Sequence, residues 1–316
     1  MQNSEYLKVL ELIKKYDTII VHRHSNPDGD AIGSQVGLVG VLRANFPKKS
    51  IYQVGDGAGR YSFVKDSTPE EIGDEVFEGA LCILLDMGAE HLVSDERYKK
   101  SAYTIRIDHH QHVENFCDLE IVDTSAESCA GLVASIIKEW GLLIPSESAK
   151  ALYTGMVTDS GRFRYDSTNA KTFQTASYLM EQGFDASDIY LNLYGDDIEM
   201  IKLRASFTLK ISLTEHNVAY IYTTLDELKD INASTFTISR GMVNTMGEIK
   251  GVNTWVNFTE TEEGVLCELR SKTQNINQIA VKYGGGGHVK ASGAKVKDRE
   301  EAMAMLSDLD KMQIGE

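Results

Sequence analysis

Short apolar runs that end at acidic residues constrain the fold of this chain more than any other feature of its sequence. One run ends at Val21 and is soon followed by residues 24–30, which read His-Ser-Asn-Pro-Asp-Gly-Asp. Two later runs lead directly into Asp86 and Asp108. In a parallel α/β sheet all strands point the same way, so the residues just past each strand converge at one edge. We therefore expect these acidic residues to meet in one pocket.

Strand-like and helical segments alternate up to about Gly183. The strand-like runs lie at 18–21, 51–54, 81–85 and 103–107. The helical patterns lie at 5–16, at 31–43, from a capping box at 124–127 through Trp140, and at 147–157. This alternation predicts an α/β fold in which helices flank a parallel sheet on both faces.

The chain changes character after about residue 186. A polar and apolar pattern at 186–210 predicts one long helix that connects two domains. Beyond it, strand-like runs at 217–223, 251–258 and 265–270 are mixed with helical patterns at 226–229, 239–245 and 299–311. We therefore predict an N-terminal parallel-sheet domain over 1–185, a helical linker over 186–206 and a smaller α+β domain over 207–316.

The overall charge limits what the chain can bind. Its 316 residues are enough for two domains of ordinary size, and 47 acidic against 32 basic residues give a formal charge of −15. Tight binding of long nucleic acid needs a basic surface, so we expect no such partner. A short phosphorylated substrate, held by metals and a few local cations, is compatible with this charge.

Cysteine usage and hydropathy indicate the cytoplasm. The four cysteines are scattered without CxxC spacing, as expected of free thiols in a reducing compartment. The charged N-terminus lacks the apolar core of a signal peptide, and no stretch approaches the ~20 apolar residues of a membrane span. We therefore expect a cytoplasmic protein with no membrane partner.

The first acidic segment has the residue types of a transition-metal site. His24, Asp28 and Asp30 occupy positions i, i+4 and i+6, and Pro27 and Gly29 break regular structure between them. Imidazole and carboxylate together suit Mn²⁺, Zn²⁺ or Fe²⁺ better than Ca²⁺. The alternative interpretation is an Asp/Asn-rich turn that caps the next helix.

Asp86 follows a run of apolar residues, where an aspartate could bridge two metals or simply cap a helix. A pocket with several carboxylates is hard to stabilise without cations, because like charges at short distance resist ionisation. Two divalent metals ~3.5–4 Å apart would remove that difficulty, and paired metals are a common device for cleaving phosphate esters.

The triplet Asp108-His109-His110 is the most specific motif in the chain. Adjacent histidines on a loop point in different directions, so one can bind metal while the other reaches a substrate. We expect His112, close behind them, to be solvated or to lie outside the direct ligand set.

Asp159 follows the helical pattern at 147–157 and offers a further carboxylate to the same pocket. Arg162 or Arg164, a few residues later, could contact a substrate phosphate. The alternative is that both arginines simply lie on the surface.

A glycine-rich segment in the C-terminal third predicts a second phosphate-binding element. Residues 283–288 read Tyr-Gly-Gly-Gly-Gly-His, and 270–272 read Arg-Ser-Lys at the end of a strand-like run. Unshielded backbone N–H groups bind anions, and a helix that begins after the glycines would strengthen that binding. We expect a substrate held between the two domains, with metals on one side and phosphate-binding groups on the other. A flexible linker is the alternative for the glycines.

Taken together, these motifs resemble the DHH/DHHA1 phosphoesterase superfamily, and the two-domain layout is most similar to its NrnA-like group of nano-RNases and 3′-phosphoadenosine 5′-phosphate (pAp) phosphatases. The N-terminal motifs are His24, Asp28, Asp30, Asp86, the triplet 108–110 and Asp159. The C-terminal signature is Gly285, Gly286, Gly287 and His288, followed by Ala291, Ser292 and Gly293. The resemblance spans nearly the whole chain and implies a DHH catalytic domain followed by a DHHA1 substrate-binding domain.

The resemblance also implies roles for individual residues. One metal would be held by His24, Asp28 and Asp86, and the other by Asp30, Asp86, His109 and Asp159. The implied catalytic residues are His110 near the scissile phosphate, the bridging Asp86, and Asp108 in support of the histidines. The implied substrate contacts are Arg162, Arg270, Ser271, Gly285, Gly286, Gly287 and His288. The cofactor would be two divalent ions, usually Mn²⁺, with Mg²⁺, Co²⁺ or Fe²⁺ as alternatives, and the family suggests a homodimer.

The hypothesis that follows is a metal-dependent exonuclease that converts short 5′-phosphorylated oligonucleotides into mononucleotides, with a 3′-phosphatase activity on pAp. Its main alternative is a phosphodiesterase for cyclic dinucleotides or for the linear dinucleotides pApA and pGpG. A family II-type pyrophosphatase fits less well, because the glycine-rich segment before His288 is of the nucleotide-processing type. A nucleotide-binding module without catalysis fits poorly, because every expected ligand is present.

Overall fold

The computed structural model describes residues 2–111 and 113–315, and the chain divides into two compact units, 1–195 and 196–316. His112, which the sequence analysis placed outside the direct ligand set, lies outside the described residues. In the part of the chain that the structure covers, no helix combines the length and apolar character needed to span a membrane.

The first unit is built on a sheet of five parallel strands. They are β1 (Thr18–His22), β2 (Ser50–Val54), β3 (Leu81–Leu85), β4 (Tyr103–Asp108) and β5 (Leu119–Val122). Their order across the sheet is β2-β1-β3-β4-β5, and each neighbouring pair is parallel. β3 is buried along its whole length, as expected of a central strand that is covered on both faces. The predicted parallel α/β fold is therefore confirmed.

Among the described residues, six α-helices belong to this unit. They are α1 (Gln2–Lys15), α2 (Gly29–Asn45), α3 (Cys129–Trp140), α4 (Ser146–Asp159), α5 (Ala170–Met180) and α6 (Ala186–Tyr194). α2 and α4 approach closely because Gly33 has no side chain: a Cβ atom there would lie 2.4 Å from the carbonyl oxygen of Ala151. A Cβ atom on Gly155 would likewise lie 2.9 Å from Oδ1 of Asp30. This close contact allows Asp30, at the start of α2, to share a site with Asp159, at the end of α4.

One helix of the first unit begins later than predicted. α3 starts at Cys129, after the predicted capping box at 124–127, and its N-cap is Ser128. Glu127 does not cap this helix but is buried, and its Oε2 accepts a hydrogen bond from Oγ1 of Thr172 on α5 at 3.0 Å. The prediction of a capping box is therefore wrong, because Glu127 bonds to a residue of another helix and not to the N-terminus of α3.

The prediction of a single helix at 186–210 is also wrong. α6 ends at Tyr194, and a new helix, α7 (Ile198–Leu209), begins after Asp197. Oδ1 of Asp197 accepts a hydrogen bond from the N–H of Met200 at 2.7 Å, so this side chain starts the second helix. The division between the two compact units falls in the same break.

The second unit is built on a mixed sheet of six strands. They are β6 (Ser212–Leu213), β7 (Ala219–Thr223), β8 (Thr254–Thr261), β9 (Gly264–Ser271), β10 (Gly286–His288) and β11 (Ala291–Val296). Their order is β10-β11-β9-β8-β7-β6, with β7 and β8 parallel and the other pairs antiparallel. The predicted α+β character of this region is therefore confirmed.

Helices cover both faces of the second sheet. The α-helices after α7 are α8 (Leu225–Asp230), α9 (Asn277–Lys282) and α10 (Arg299–Gln313), and a π-helical turn covers Thr237–Gly241. One apolar core joins the sheet to α10, and another joins its opposite face to α7 and the π-helical turn.

Candidate metal centre

Asp86 lies at the edge formed by the carboxyl ends of the parallel strands, directly after the central strand β3. Its φ is +59°, a left-handed conformation that is uncommon outside glycine, and its N–H donates to the carbonyl oxygen of Ile107 at 3.1 Å. The residue is only 2% exposed, and Oδ1 of its carboxylate has no hydrogen-bond partner among the described residues. A buried carboxylate oxygen without a partner is costly, and a bound cation would satisfy it.

His24 and Asp28 lie on one side of this carboxylate. Nε2 of His24 is 3.6 Å from Oδ2 of Asp86 and 3.8 Å from Oδ1 of Asp28. Nδ1 of His24 is 2.9 Å from the carbonyl oxygen of Ser25, which can only accept a hydrogen bond. A neutral His24 therefore carries its proton on Nδ1 and leaves Nε2 free to bind a metal.

His109 lies on the other side of Asp86. Its Nε2 is 3.6 Å from Oδ1 of Asp86, 3.7 Å from Oδ2 of Asp30 and 3.5 Å from Oδ2 of Asp159. Its Nδ1 is 3.3 Å from the carbonyl oxygen of Ala126, so the same tautomer argument leaves Nε2 as the nitrogen that can bind a metal.

The N-terminus of α3 holds Asp30 in place. Its Oδ2 accepts a hydrogen bond from the N–H of Cys129 at 2.7 Å, and its Oδ1 accepts one from the N–H of Ala130 at 2.8 Å. The free N–H groups at the start of a helix favour a negative charge. These two backbone donors gave no signal in the sequence, because every residue type except proline can supply an N–H.

Asp86 thus connects two groups of potential metal ligands. One group is His24, Asp28 and Asp86, and another is Asp30, His109 and Asp159, with the ligand atoms of each group within 4.8 Å of one another. A third such group, Asp86 with His109 and His110, overlaps them. All six predicted metal ligands therefore lie together, and the two oxygens of Asp86 face opposite groups, as a carboxylate between two cations would.

Burial and neighbouring charges shift the pKa values of several groups in this cluster. Burial, followed by the charges of Asp86 and Asp159, raises the pKa of Asp30 well above its usual value. Burial also raises the pKa of Asp159 to about 6, and the nearby His109 only partly opposes this. Burial would lower the pKa of His24, but its contacts with Asp28 and Asp86 outweigh burial and raise it to about 10. Divalent cations would offset both the burial and the mutual repulsion of these carboxylates.

Asp108 supports His110 and contacts it directly. Nδ1 of His110 lies 2.7 Å from Oδ1 of Asp108, and the His110 side chain is 48% exposed. Burial works against the charged form of Asp108, but hydrogen bonds from His110 and Arg106 hold its pKa at about 2. The hydrogen bond to Asp108 is the main cause of a raised pKa at His110. His110 is therefore anchored through Nδ1, and its Nε2 is available to a substrate.

Arg106 contacts the candidate site through Asp108, and the sequence analysis missed it. Its side chain is completely buried inside β4, and Nη2 donates to Oδ2 of Asp108 at 2.5 Å. Nη1 donates to Oε2 of Glu120 at 3.2 Å, and this glutamate is its register partner on β5. An arginine between the two isoleucines of a buried strand was the available signal, because a buried charge requires partners.

The second unit places Arg270 and His288 on one side of its sheet. Arg270 pairs in register with Ala291, and Ala291 pairs with His288, so the three residues form one row across β9, β11 and β10. Ser271 does not join this row: it is buried, and its Oγ accepts the N–H of Gln274 at 2.9 Å. The structure therefore brings two of the predicted substrate contacts together and places Ser271 in a turn.

Among the described residues no helix begins directly after the glycines, so the helix N-terminus that would strengthen anion binding is not there. The glycines follow α9, and Gly286–His288 form the edge strand β10, which turns back into β11. Gly285 is required by close packing, since a Cβ atom there would lie 2.1 Å from the carbonyl oxygen of Gly293. Gly287 has a φ of +139°, which side chains rarely allow. The run of glycines thus permits a tight hairpin and does not begin a helix.

Arg162 occupies a strained turn after α4. Its φ is +64°, and its guanidinium carbon lies 4.4 Å from the centre of the Tyr194 ring. The side chain is thus placed on an aromatic ring of the first unit, a favourable position for a guanidinium group. Its predicted contact with substrate phosphate stays a prediction.

Two family models match the chain. The N-terminal domain of the DHH family matches residues 18–156, and the DHHA1 domain matches residues 217–313. The first match contains the sheet and most of the ligand cluster, and the second contains the hairpin of β10 and β11.

Similar proteins agree with these matches over nearly the whole chain. The bifunctional oligoribonuclease and PAP phosphatase NrnA of Bacillus subtilis (strain 168) is 36% identical over 306 residues, which cover 96% of this chain and 97% of that protein. A probable protein of the same description from Streptococcus mutans is 35% identical, covering 92% and 93%. The crystal structure of an exopolyphosphatase-related protein from Bacteroides fragilis superposes with a TM-score of 0.80 at 27% identity, covering 98% and 96%. The chain belongs to the DHH family and carries a DHHA1 domain.

Proposed function

We propose that this protein is a metal-dependent phosphoesterase that hydrolyses short 5′-phosphorylated oligoribonucleotides to mononucleotides and removes the 3′-phosphate of pAp. The observation that carries the proposal is the buried carboxylate of Asp86, whose two oxygens lie 3.6 Å from His24 and 3.6 Å from His109. The bifunctional oligoribonuclease and phosphatase names of the two relatives support this choice of substrates.

The ligand atoms divide naturally between two cations. His24, Asp28 and Asp86 would hold one, and Asp30, Asp86, His109 and Asp159 would hold the other. A donor set of imidazoles and carboxylates suits Mn²⁺, which we propose as the usual ion. When bound, such a pair of ions neutralises charge on the phosphate oxygens and lowers the pKa of the attacking water.

His110 is the residue that we assign to the leaving group. Its Nδ1 is held by Asp108 at 2.7 Å, so Nε2 can donate a hydrogen bond or a proton to the leaving oxygen of the phosphate. The raised pKa of His110, caused first by its hydrogen bond with Asp108, favours the protonated form that this role requires. Asp108 and Arg106 fix the ring and stay out of the reaction itself.

The charge of the chain favours short substrates. A formal charge of −15 repels long polyanions, whereas a dinucleotide needs only the cations of the site itself. In the second unit, Arg270 and His288 on one sheet row are the residues that we assign to substrate phosphate. The free thiols of Cys82, Cys117, Cys129 and Cys267 support a cytoplasmic location.

The direct test incubates the Mn²⁺-loaded protein with pApA and, separately, with pAp. We expect AMP from both substrates, loss of activity with a chelator, and recovery on adding Mn²⁺ back. Asp86→Asn should abolish turnover, because one oxygen of the shared carboxylate becomes an amide group. Asp17→Asn is the matched control, since the Asp17 side chain is fully exposed. Cleavage of a cyclic dinucleotide alone, with pApA and pAp left intact, would replace this proposal with the phosphodiesterase alternative.

A further inference from the structure

One face of the second sheet carries mostly small residues beside β9. Two rows of register partners cross it from β9 through β11 to β10. One row is Glu268, Gly293 and Gly286, and the other is Arg270, Ala291 and His288. A Cβ atom at Gly286 would meet no other atom within 4 Å, and one at Gly293 would lie 3.5 Å from Oε1 of Glu268. Gly286 and Gly293 carry no side chains, so they leave a low strip on this face of the sheet beside the row of Arg270 and His288, and we call this strip the trough.

Glu268 lies between two arginines at this trough. Its Oε1 accepts a hydrogen bond from Nε of Arg240 at 3.0 Å, and its Oε2 accepts one from Nη1 of Arg270 at 3.2 Å. The Glu268 side chain is only 12% exposed, whereas that of Arg240 is 60% exposed. One carboxylate thus fixes two guanidinium groups, one on each of its oxygens.

Both guanidinium groups keep unused donors. Arg240 uses only Nε, and Arg270 uses only Nη1, which also donates to the carbonyl oxygen of Leu269 at 2.8 Å. Within the described residues, Nη1 and Nη2 of Arg240 and Nε and Nη2 of Arg270 have no acceptor. Two oriented guanidinium groups with free N–H donors match the oxygens of a phosphate group.

The backbone that carries Arg240 is held firmly. Arg240 lies in the π-helical turn, and Nδ2 of the buried Asn257 donates to the carbonyl oxygens of Ile238 and Ser239 at 2.7 and 2.8 Å. Such π-helical turns occur frequently at functional sites. The centre of the Phe236 ring lies 5.6 Å from the Arg240 guanidinium carbon, within reach of a cation–π contact. An exposed arginine that is fixed in this way loses little freedom when it binds an anion.

We propose that Arg240 is a second phosphate-binding residue of this trough, and that Glu268 is the positioning residue that holds its guanidinium group beside that of Arg270. The ligand is a terminal phosphate monoester of a nucleotide. A monoester carries close to two negative charges and three terminal oxygens, which two guanidinium groups can share, whereas an internal diester carries one charge. This inference rests on the proposed function and identifies the group that selects 5′-phosphorylated substrates.

The test compares pApA with ApA, which lacks the terminal phosphate, using the Mn²⁺-loaded full-length protein. Arg240→Gln should raise the KM for pApA by roughly 10-fold or more, as expected for losing a charge-assisted contact, and leave kcat nearly unchanged. The KM for ApA should not change, and Arg240→Lys should restore only part of the loss. Arg299→Gln is the matched control, because this exposed arginine lies over Tyr222, whose side chain packs on the opposite face of the sheet. An unchanged KM for pApA in Arg240→Gln, or an equal rise for both substrates, overturns the inference.

The Glu268→Gln variant tests whether Glu268 positions the two arginines or only offsets their positive charge. If Glu268 positions the arginines, its loss raises the KM for pApA even though the trough becomes more positive. A lower KM in this variant would show that Glu268 only offsets positive charge and would overturn its positioning role.

Calorimetry can test the inference without relying on catalysis. It measures the binding of AMP and of adenosine to the same proteins. Weaker AMP binding in Arg240→Gln with unchanged adenosine binding supports it, even if the wild-type protein hydrolyses neither substrate and the proposed function fails. Equal AMP binding in wild type and variant overturns it, even if pApA is hydrolysed.

Discussion

The guanidinium group of Arg106 lies 2.5 Å from Oδ2 of Asp108, and both side chains are completely buried. The other oxygen of Asp108 lies 2.7 Å from Nδ1 of His110. Asp108 therefore connects a charge inside the sheet with a half-exposed histidine at the candidate metal centre. The orientation of His110 depends on an arginine that itself has no access to solvent or substrate.

Arg106→Met should destabilise the protein strongly. The substitution keeps an unbranched side chain but removes the cation that faces Asp108 and Glu120, and breaking a buried ion pair typically costs roughly 3–5 kcal/mol. Denaturant unfolding measures this change in the free energy of unfolding. Arg204→Met, at an arginine that is 47% exposed, is the control and should change stability by about 1 kcal/mol or less. Similar losses in the two variants would contradict the role given to Arg106.

His110→Ala and His109→Ala should fail in different ways. In the proposed mechanism His110 acts on the leaving group, so its loss should lower kcat by roughly 10²- to 10⁴-fold while Mn²⁺ is retained. His109 contributes Nε2 to the cluster with Asp30 and Asp159, so its loss should release metal. Metal analysis of the dialysed proteins, next to kcat for pApA, separates the two effects. Loss of metal from the His110 variant would show that this residue is itself a metal ligand.

Gly33→Ala should weaken the candidate metal centre, although Gly33 is not one of its predicted ligands. The added Cβ atom would lie 2.4 Å from the carbonyl oxygen of Ala151, so α2 and α4 must move apart. Overpacking of this kind costs about 1–3 kcal/mol, and here it also separates the helix ends that carry Asp30 and Asp159. We expect a lower melting temperature and weaker Mn²⁺ binding. Gly57→Ala is the control, since a Cβ atom there meets nothing within 4 Å, and it should leave both quantities unchanged.

Asp310→Asn should remove part of the acid sensitivity of the second unit. Burial opposes the charged form of Asp310, but hydrogen bonds with Thr214 and His216 outweigh burial and lower its pKa. A lowered carboxyl pKa contributes stability above the ordinary value of 3.8, and this contribution is lost as the pH falls through the folded-state pKa. Wild type should therefore be more stable than the variant at pH 7, by about 1.5 kcal/mol, and the difference should shrink below about pH 4.

Thermal melts between pH 7 and pH 3 test this expectation. Glu215→Gln, which removes an exposed charge from the same turn, is the control and should follow the wild-type pH dependence. A difference between Asp310→Asn and wild type that stays constant down to pH 3 would show that ionisation of Asp310 does not contribute.

Much of the fold could be predicted because its signals are local. The apolar run Leu81–Leu85 matches β3 at both ends, since a strand buried on both faces favours apolar residues. The predicted boundaries of helices were wrong where a contact with a residue distant in sequence determines them. Glu127 fits a capping box by spacing, yet it bonds to Thr172 on another helix, and no local pattern contains that contact.

The candidate site also combines features that local sequence predicts with features that depend on contacts between distant residues. The sequence by itself determined which acidic and imidazole side chains follow the strands, because a parallel sheet sends the residues after its strands to one edge. Only the tertiary structure decided that the two oxygens of Asp86 face different ligand groups. The same is true of the contact between Arg106 and Asp108. It is also true of Glu268, which accepts hydrogen bonds from both Arg240 and Arg270. These contacts join side chains from separate elements, and their geometry depends on how helices and strands pack, which is a property of the whole chain and not of any segment.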